Sequence, residues 1–198
     1  MPARRRTIRG SARNAILGAT LEIIASHGID AVTHRRVAER AGVSPGSTTH
    51  HFSSREDLLR EAFRFYLKTG DRLLAAIDEE ARASVSDPEE RVRRFATEII
   101  RREFIEPGAR FIRAEHEMLL FASADSQLAS YVRAWEARWV ASIAGDLEAA
   151  GWPQPVEAAR TLMNLIRGYE LERLLNPDSD AAEFRRRLDS VLTRTDCR

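Results

Sequence analysis

Residues 33–52, THRRVAERAGVSPGSTTHHF, decide how this chain reads. Thr33 has the place of an N-cap, with a helix predicted over His34 to Ala41 that turns Val37, Ala38 and Ala41 inward. Gly42 ends that helix, because a residue that must turn left-handed after a helix is most easily a glycine. Val43 is the apolar turn residue that can dock two helices at once. Ser44 and Pro45 then open a third, short helix: a capping hydroxyl, followed by proline where no backbone N–H is needed. Helix, glycine turn, docking residue and capped second helix make a helix-turn-helix. The exposed side chains of the third helix are predicted to be Ser47, Thr48, Thr49, His50 and His51, all short and hydrogen-bonding, which suits a DNA major groove. Arg35, Arg36 and Arg55 flank that helix with positive charge. An ordinary three-helix module for protein contacts would need neither this charge nor this polar face.

Outward from this segment the pattern stays helical. Ala12, Ile16, Ala19 and Ile23, with Leu17, Leu21 and Ile24, repeat at three- and four-residue spacing, which predicts a first helix over Ser11 to His27 stopped by Gly28. Ser53-Ser54-Arg55-Glu56-Asp57 contains two overlapping capping boxes, Ser53 with Glu56 and Ser54 with Asp57, which open a long fourth helix to about Glu80. Further helices are predicted over 88–105, 108–122, 126–150, 155–175 and 180–193, with Pro107-Gly108, Gly151-Trp152-Pro153 and Asn176-Pro177 between them. No stretch alternates as a strand does. The expected fold is all-α: an N-terminal three-helix DNA-binding domain over 1–54, and a larger helical domain over 55–198 for effector binding and dimerisation.

Charge divides the same way. The 198 residues carry a net +1, yet residues 1–60 hold ten arginines against five acids, and the remainder holds 21 basic and 25 acidic side chains. A basic segment on a near-neutral chain points to a polyanion partner for that segment alone. Arg4, Arg5 and Arg6 form a basic arm that can reach phosphates or a minor groove. The apolar fraction of 43% suffices for a packed core, and no run approaches the ~18 apolar residues of a membrane span. MPARRRTIRGSARN lacks the apolar stretch of a secretory signal. Cys197 is the only cysteine, so an internal disulfide framework is excluded and a reducing cytoplasm is the expected location.

From Ala12 to Leu59 the chain resembles the TetR family of bacterial transcription regulators. The likeness rests on the helix before Gly28, on Val37-Ala38, on Ala41-Gly42-Val43-Ser44-Pro45-Gly46, on His51-Phe52, and on Arg55-Glu56-Asp57-Leu58-Leu59. In the C-terminal part only length, helix number and Leu165-Ile166-Arg167-Gly168 resemble it. The resemblance implies a homodimer, a palindromic operator on double-stranded DNA, and an effector pocket in the C-terminal domain. It implies DNA contacts from Thr33, Ser44, Gly46, Ser47, Thr49, His50 and Arg55. Two residues depart from the family pattern: Thr48 replaces a bulky aliphatic side chain, and Thr49 replaces a tyrosine.

In the C-terminal part, Phe95, Phe111, Met118, Phe121, Trp135, Trp139, Met163 and Tyr169 are candidates to line a pocket for an apolar or aromatic small molecule; the plainer reading makes most of them core. Arg113, His116 and Glu117 could add polar specificity. Val156, Ala159, Met163, Ile166, Gly168, Phe184, Leu188 and Val191 lie on stripes wide enough to meet a second subunit, and Gly168 would let two helices approach closely.

Catalytic constellations are missing. His116-Glu117 begins a zinc-protease string, but Leu120 stands where the second histidine belongs. His50 and His51 are adjacent, so on a helix they diverge by about 100°. No phosphate loop, dinucleotide glycine pattern or nucleophile elbow occurs. No catalytic residue, metal or cofactor is expected. The expected function is a ligand-responsive transcription regulator that represses from a palindromic operator and is released by its effector; the alternative is a constitutive dimeric DNA-binding or scaffold protein.

Overall fold

The computed structural model describes residues 3–105, 109–176, 178 and 180–193. They form nine α-helices: α1 (Ala3–His27), α2 (His34–Ala41), α3 (Pro45–His51), α4 (Arg55–Ser84), α5 (Pro88–Ile105), α6 (Ala109–Ser123), α7 (Ser126–Ala149), α8 (Pro155–Leu175) and α9 (Ala181–Leu192), with a 3-10 turn at Ile29–Ala31. No strand occurs among the described residues. The all-α fold with an N-terminal helix-turn-helix follows.

Boundaries agree with the caps and breakers in the sequence, with two extensions. α1 starts at Ala3 rather than Ser11. Arginine is a good helix former, and the single Gly10 costs only about 1 kcal/mol of propensity, which does not stop the helix. Arg4, Arg5 and Arg6 therefore have helical backbone; their side chains lie outside the described residues, as does Cys197. α4 runs on to Ser84 because Ala81, Arg82 and Ala83 continue to favour helix.

The chain divides into two compact units, one of Met1–Gly70 with Arg113–Leu128, the other of Asp71–Ile112 with Ala129–Arg198. The first, the head unit, is larger than the 1–54 segment expected for DNA binding, because the first half of α4 and most of α6 belong to it. In the head unit α1, α2 and α3 pack on one another around Ile16, Leu17, Ile24, Val32, Val37, Phe52, Leu58 and Phe63, all fully buried. Arg60 pairs with Asp125, and the Tyr66 hydroxyl donates to Glu115, so that α4 is tied to α6 and to the segment after it.

In the second, the body unit, Ile77, Val92, Ala96, Ile100, Ile143, Leu147, Leu162, Tyr169, Phe184 and Leu188 form the core. Asp146, buried on α7, accepts from Arg82 of α4 at 3.0 and 3.1 Å and from Arg91 of α5 at 2.7 and 3.1 Å. One carboxylate thus joins three helices. Glu98, between Arg101 and Arg102, has its pKa lowered from 4.5 to about 2, chiefly by the hydrogen bond from Arg101 and then by Arg102, against a partial desolvation penalty. Asp180 caps α9 by accepting from the Glu183 amide at 2.9 Å, and its carbonyl accepts from the Tyr169 hydroxyl on α8 at 2.5 Å.

Candidate nucleic-acid interface

The interface is built from short-range chemistry. Thr33, extended at φ −135°, accepts from the Arg36 amide at 3.2 Å and so caps α2. Gly42 is left-handed at φ 65°, and the next amide, Val43, donates back to Ala38 carbonyl at 3.0 Å. This closes α2 and turns the chain at once into α3. Ser44 has extended N-cap backbone, but its hydroxyl makes no capping bond; Pro45 at the first position carries the start instead. The expected capping role of Ser44 is corrected accordingly. Of the two capping boxes, Ser54 with Asp57 forms: the Asp57 amide donates to Ser54 at 3.0 Å, and the Asp57 carboxylate accepts from the amide of Ser53 at 2.9 Å.

On α3 the polar face is narrower than expected. Thr48 is fully buried, and its hydroxyl donates to the Pro45 carbonyl at 2.9 Å, with a longer contact to the His34 carbonyl. The methyl fills the apolar position and the hydroxyl is satisfied by backbone, so Thr48 belongs to the packing of α2 on α3. Gly46, Thr49 and His50 are exposed, as are Ser44, Thr33 and Arg35; Ser47 and Arg36 are half-buried. The Thr49 hydroxyl donates to Gly46 carbonyl at 3.2 Å. His51 is half-buried, edge-on to His50 with ring centroids 5.4 Å apart. Arg13 lies 5.4 Å over the ring of Phe52, which closes the head beneath α3.

Arg55 stands elsewhere. Its guanidinium donates to the carbonyls of Val32 at 3.1 Å and Ile29 at 2.7 Å, with Asp30 at 3.5 Å. The side chain expected to touch DNA is occupied with the loop between α1 and α2. From α6, Glu117 accepts from the Ile29 amide and pairs with Arg113 at 2.8 Å. Beside these groups is an open groove of about 460 Å³ lined by His27, Gly28, Asp30, Leu120 and Phe121. Sequence reasoning singled out Arg55 for DNA and Arg113 and Glu117 for an effector, but not that they meet on this loop; the local signal was Gly28, whose φ of 86° is unsuited to a side chain.

The chain matches two family descriptions: "Bacterial regulatory proteins, tetR family" over residues 16–62, and "Tetracyclin repressor-like, C-terminal domain" over residues 87–194. It belongs to the TetR family. The N-terminal family match, over residues 16–62, spans the helix-turn-helix described above and makes it the candidate DNA-binding element. The regulator BetI of Rhizobium meliloti is 38% identical over 81 residues, which cover 40% of this chain and 37% of that protein. The chain thus aligns with little more than a third of this curated relative. A transcriptional regulator from Rhodococcus sp. Rha1 shares the fold, with a TM-score of 0.79 at 22% identity over 90% of this chain and 92% of that one. The multidrug binding protein EbrR, complexed with ethidium, has a TM-score of 0.64 at 28% identity over 91% of this chain and 98% of its own.

The residues expected to line an effector pocket fall in both units: Met118 and Phe121 in the head unit, the others in the body unit. Phe95 stacks on Trp139 at 5.8 Å, and the Trp139 indole donates to Asp71 at 3.2 Å. Tyr169 packs against Phe184 at 5.1 Å. These side chains have their polar atoms satisfied internally and read as core. Met118 is buried, while Phe111, Phe121 and Met163 are half-buried. Trp135 differs: it is 8% exposed, and its indole nitrogen is buried without a hydrogen-bond partner.

The residues expected at a dimer interface differ in burial. Ala159, Ile166, Phe184 and Leu188 are buried within the chain itself and are spent on the packing of α8 with α9. Val156 and Gly168 are exposed; Met163 and Val191 are half-buried. Towards the C-terminal end of α8 the exposed apolar positions are Gly168, Leu171, Leu174 and Leu175, at helical spacing. A Cβ on Gly168 would meet nothing within 4 Å, so nothing inside the chain demands glycine there. Among the described residues no group of three or more His, Cys, Asp or Glu could hold a metal ion, and no helix is long and apolar enough to cross a membrane.

Proposed function

We propose that this TetR-family protein is a cytoplasmic repressor that binds a palindromic operator as a homodimer and leaves it when a small effector binds the body unit. The observation that carries the DNA half is the capped α2 with the exposed Gly46, Thr49 and His50 of α3 on a head of net positive charge. In this reading Thr33, Arg35, Arg36 and Ser44 meet phosphates, and Ser47, Thr49 and His50 meet base edges. One such helix reads only a few base pairs, so useful affinity needs two half-sites and hence two copies. For the second copy, the exposed stripe Gly168, Leu171 and Leu175 supports an α8 face, with Val156, Met163 and Val191 at its margins.

The buried Trp135 indole without an acceptor supports an effector that is largely apolar and carries a hydrogen-bond acceptor. EbrR bound to ethidium shows that a related fold accepts an aromatic cation. An effector acts only if it binds the released state more tightly than the DNA-bound state; near-complete release takes about 5 kcal/mol of difference. The constitutive alternative has no such dependence and is held open by the same test. Selection of bound sites from random DNA is expected to return a two-fold symmetric sequence. A thermal-shift screen is then expected to yield a compound that raises the melting point and dissolves the complex. Asymmetric or unenriched sites refute the operator reading, and compounds that stabilise without releasing DNA refute the effector reading.

A further inference from the structure

The loop Gly28–Val32 links α1 to the cap of α2, and side chains from two other helices hold it. From α4, Arg55 donates to the carbonyls of Ile29 at 2.7 Å and Val32 at 3.1 Å. From α6, Glu117 accepts from the amide of Ile29, and Arg113 steadies Glu117 at 2.8 Å. Gly28 permits the approach: a Cβ there would stand 3.3 Å from both the Arg113 guanidinium and the Glu117 carboxylate, at a φ of 86°. The residue after Val32 is Thr33, which caps α2 through the Arg36 amide. The backbone that presents Thr33, Arg35 and Arg36 is therefore set by this clamp.

We infer that Arg55 and Glu117 are positioning residues for DNA recognition: one holds the carbonyls and the other an amide of the α1–α2 loop, and together they place the phosphate-contacting start of α2. This rests on the DNA-binding role of the head. The clamp is more than a generic stabiliser. Arg55 is 34% exposed, Arg113 52% and Glu117 23%, and the adjoining groove is open to water. The ion pairs at its edge, Arg55 with Asp30 and Arg113 with Glu117, contribute little to global stability, so the part-buried hydrogen bonds to the Ile29 and Val32 backbone are what order the loop. A guanidinium is needed, because two carbonyls are met by a fork of donors that lysine lacks. The arrangement also ties α6 to the loop before α2 through polar groups beside an open groove.

The test uses the full-length chain, a duplex recovered by the parent from random DNA, and four variants: Arg55→Ala, Arg55→Lys, Glu117→Ala and the double Arg55→Ala/Glu117→Ala. Amide exchange at Ile29 in the free protein should speed up in Glu117→Ala. Affinity should fall about tenfold in each single variant, the cost of a lost charge-assisted hydrogen bond, with the salt slope unchanged. Arg55→Lys should behave like Arg55→Ala, and the double variant like either single one. Two outcomes overturn the inference. One is a parent-like Arg55→Lys beside an Arg55→Ala whose salt slope is lower by about 1, the mark of a direct phosphate contact. The other is parent-like affinity in Glu117→Ala despite fast exchange at Ile29. Failure of the parent to enrich any duplex would instead remove the DNA reading, and would be seen before any variant is made.

Discussion

The head unit and the body unit obey different rules. In the head, function depends on backbone conformations that a few residues impose locally: Thr33 at one end of α2, left-handed Gly42 at the other, Pro45 at the start of α3. In the body, everything depends on which side of a long helix faces inward. α8 carries apolar residues on several sides, and the structure buries Ala159, Leu162, Ile166 and Tyr169 while leaving Val156, Leu171, Leu174 and Leu175 outside. A local rule can be read from six residues; a facing rule needs the partner helix. The difference teaches that the helix-turn-helix is a property of sequence at short range, whereas the exposed and buried faces of the body are a property of packing.

The comparison can be broken most severely in the body. Leu162→Ala removes a fully buried side chain from the core and should cost about 2–5 kcal/mol, seen in denaturant unfolding. If the cost is below about 1 kcal/mol, the body is not the packing-governed half. Next is Gly42→Ala, which forces a side chain into φ 65°. It should cost about 1–2 kcal/mol and weaken DNA binding more than Leu162→Ala does at a temperature where both variants are folded. Equal loss of binding in the two would erase the distinction. The pair Arg35→Ala with Arg36→Ala should leave the melting point near that of the parent and reduce the salt slope of DNA binding by about 2, one per lost phosphate contact. An unchanged slope rejects their phosphate role.

The smallest effect is electrostatic and belongs to the body. The folded pKa of Glu98 is depressed, from 4.5 to about 2. Its contribution is therefore present in full above pH about 4.5 and is lost as pH falls through about 2. Glu98→Gln should melt slightly lower than the parent at pH 6, by a degree or so on the scale of a partly exposed pair. The gap should close as the pH is lowered towards the folded pKa. A gap that widens in acid would mean that the two arginines do not stabilise the carboxylate.

Much of this was legible beforehand, for identifiable reasons. The helix order, Thr33 and Gly42 as ends of α2, and Ser54 with Asp57 at the start of α4 follow from capping chemistry that acts over three or four residues. Thr48 was read as exposed because its spacing along so short a helix does not say which side meets α2. Arg55 was read as a phosphate contact because its type and place suited one; that two carbonyls of another loop stand within reach could not be inferred from residues 53–57. Ala159, Ile166, Phe184 and Leu188 were read as interface because an apolar stripe looks the same whether it is covered by its own chain or by another.

The sequence alone determined an all-helical chain with a cationic helix-turn-helix at its start, since helix periodicity, caps and charge are local quantities that each residue carries with it. Tertiary structure alone decided which apolar faces are consumed internally, that Thr48 is core, that the Trp135 indole is buried without an acceptor, and that Arg55 and Glu117 meet on one loop. Those outcomes depend on residues 14 to 88 positions apart arriving at the same place, and no short-range preference encodes such an arrival.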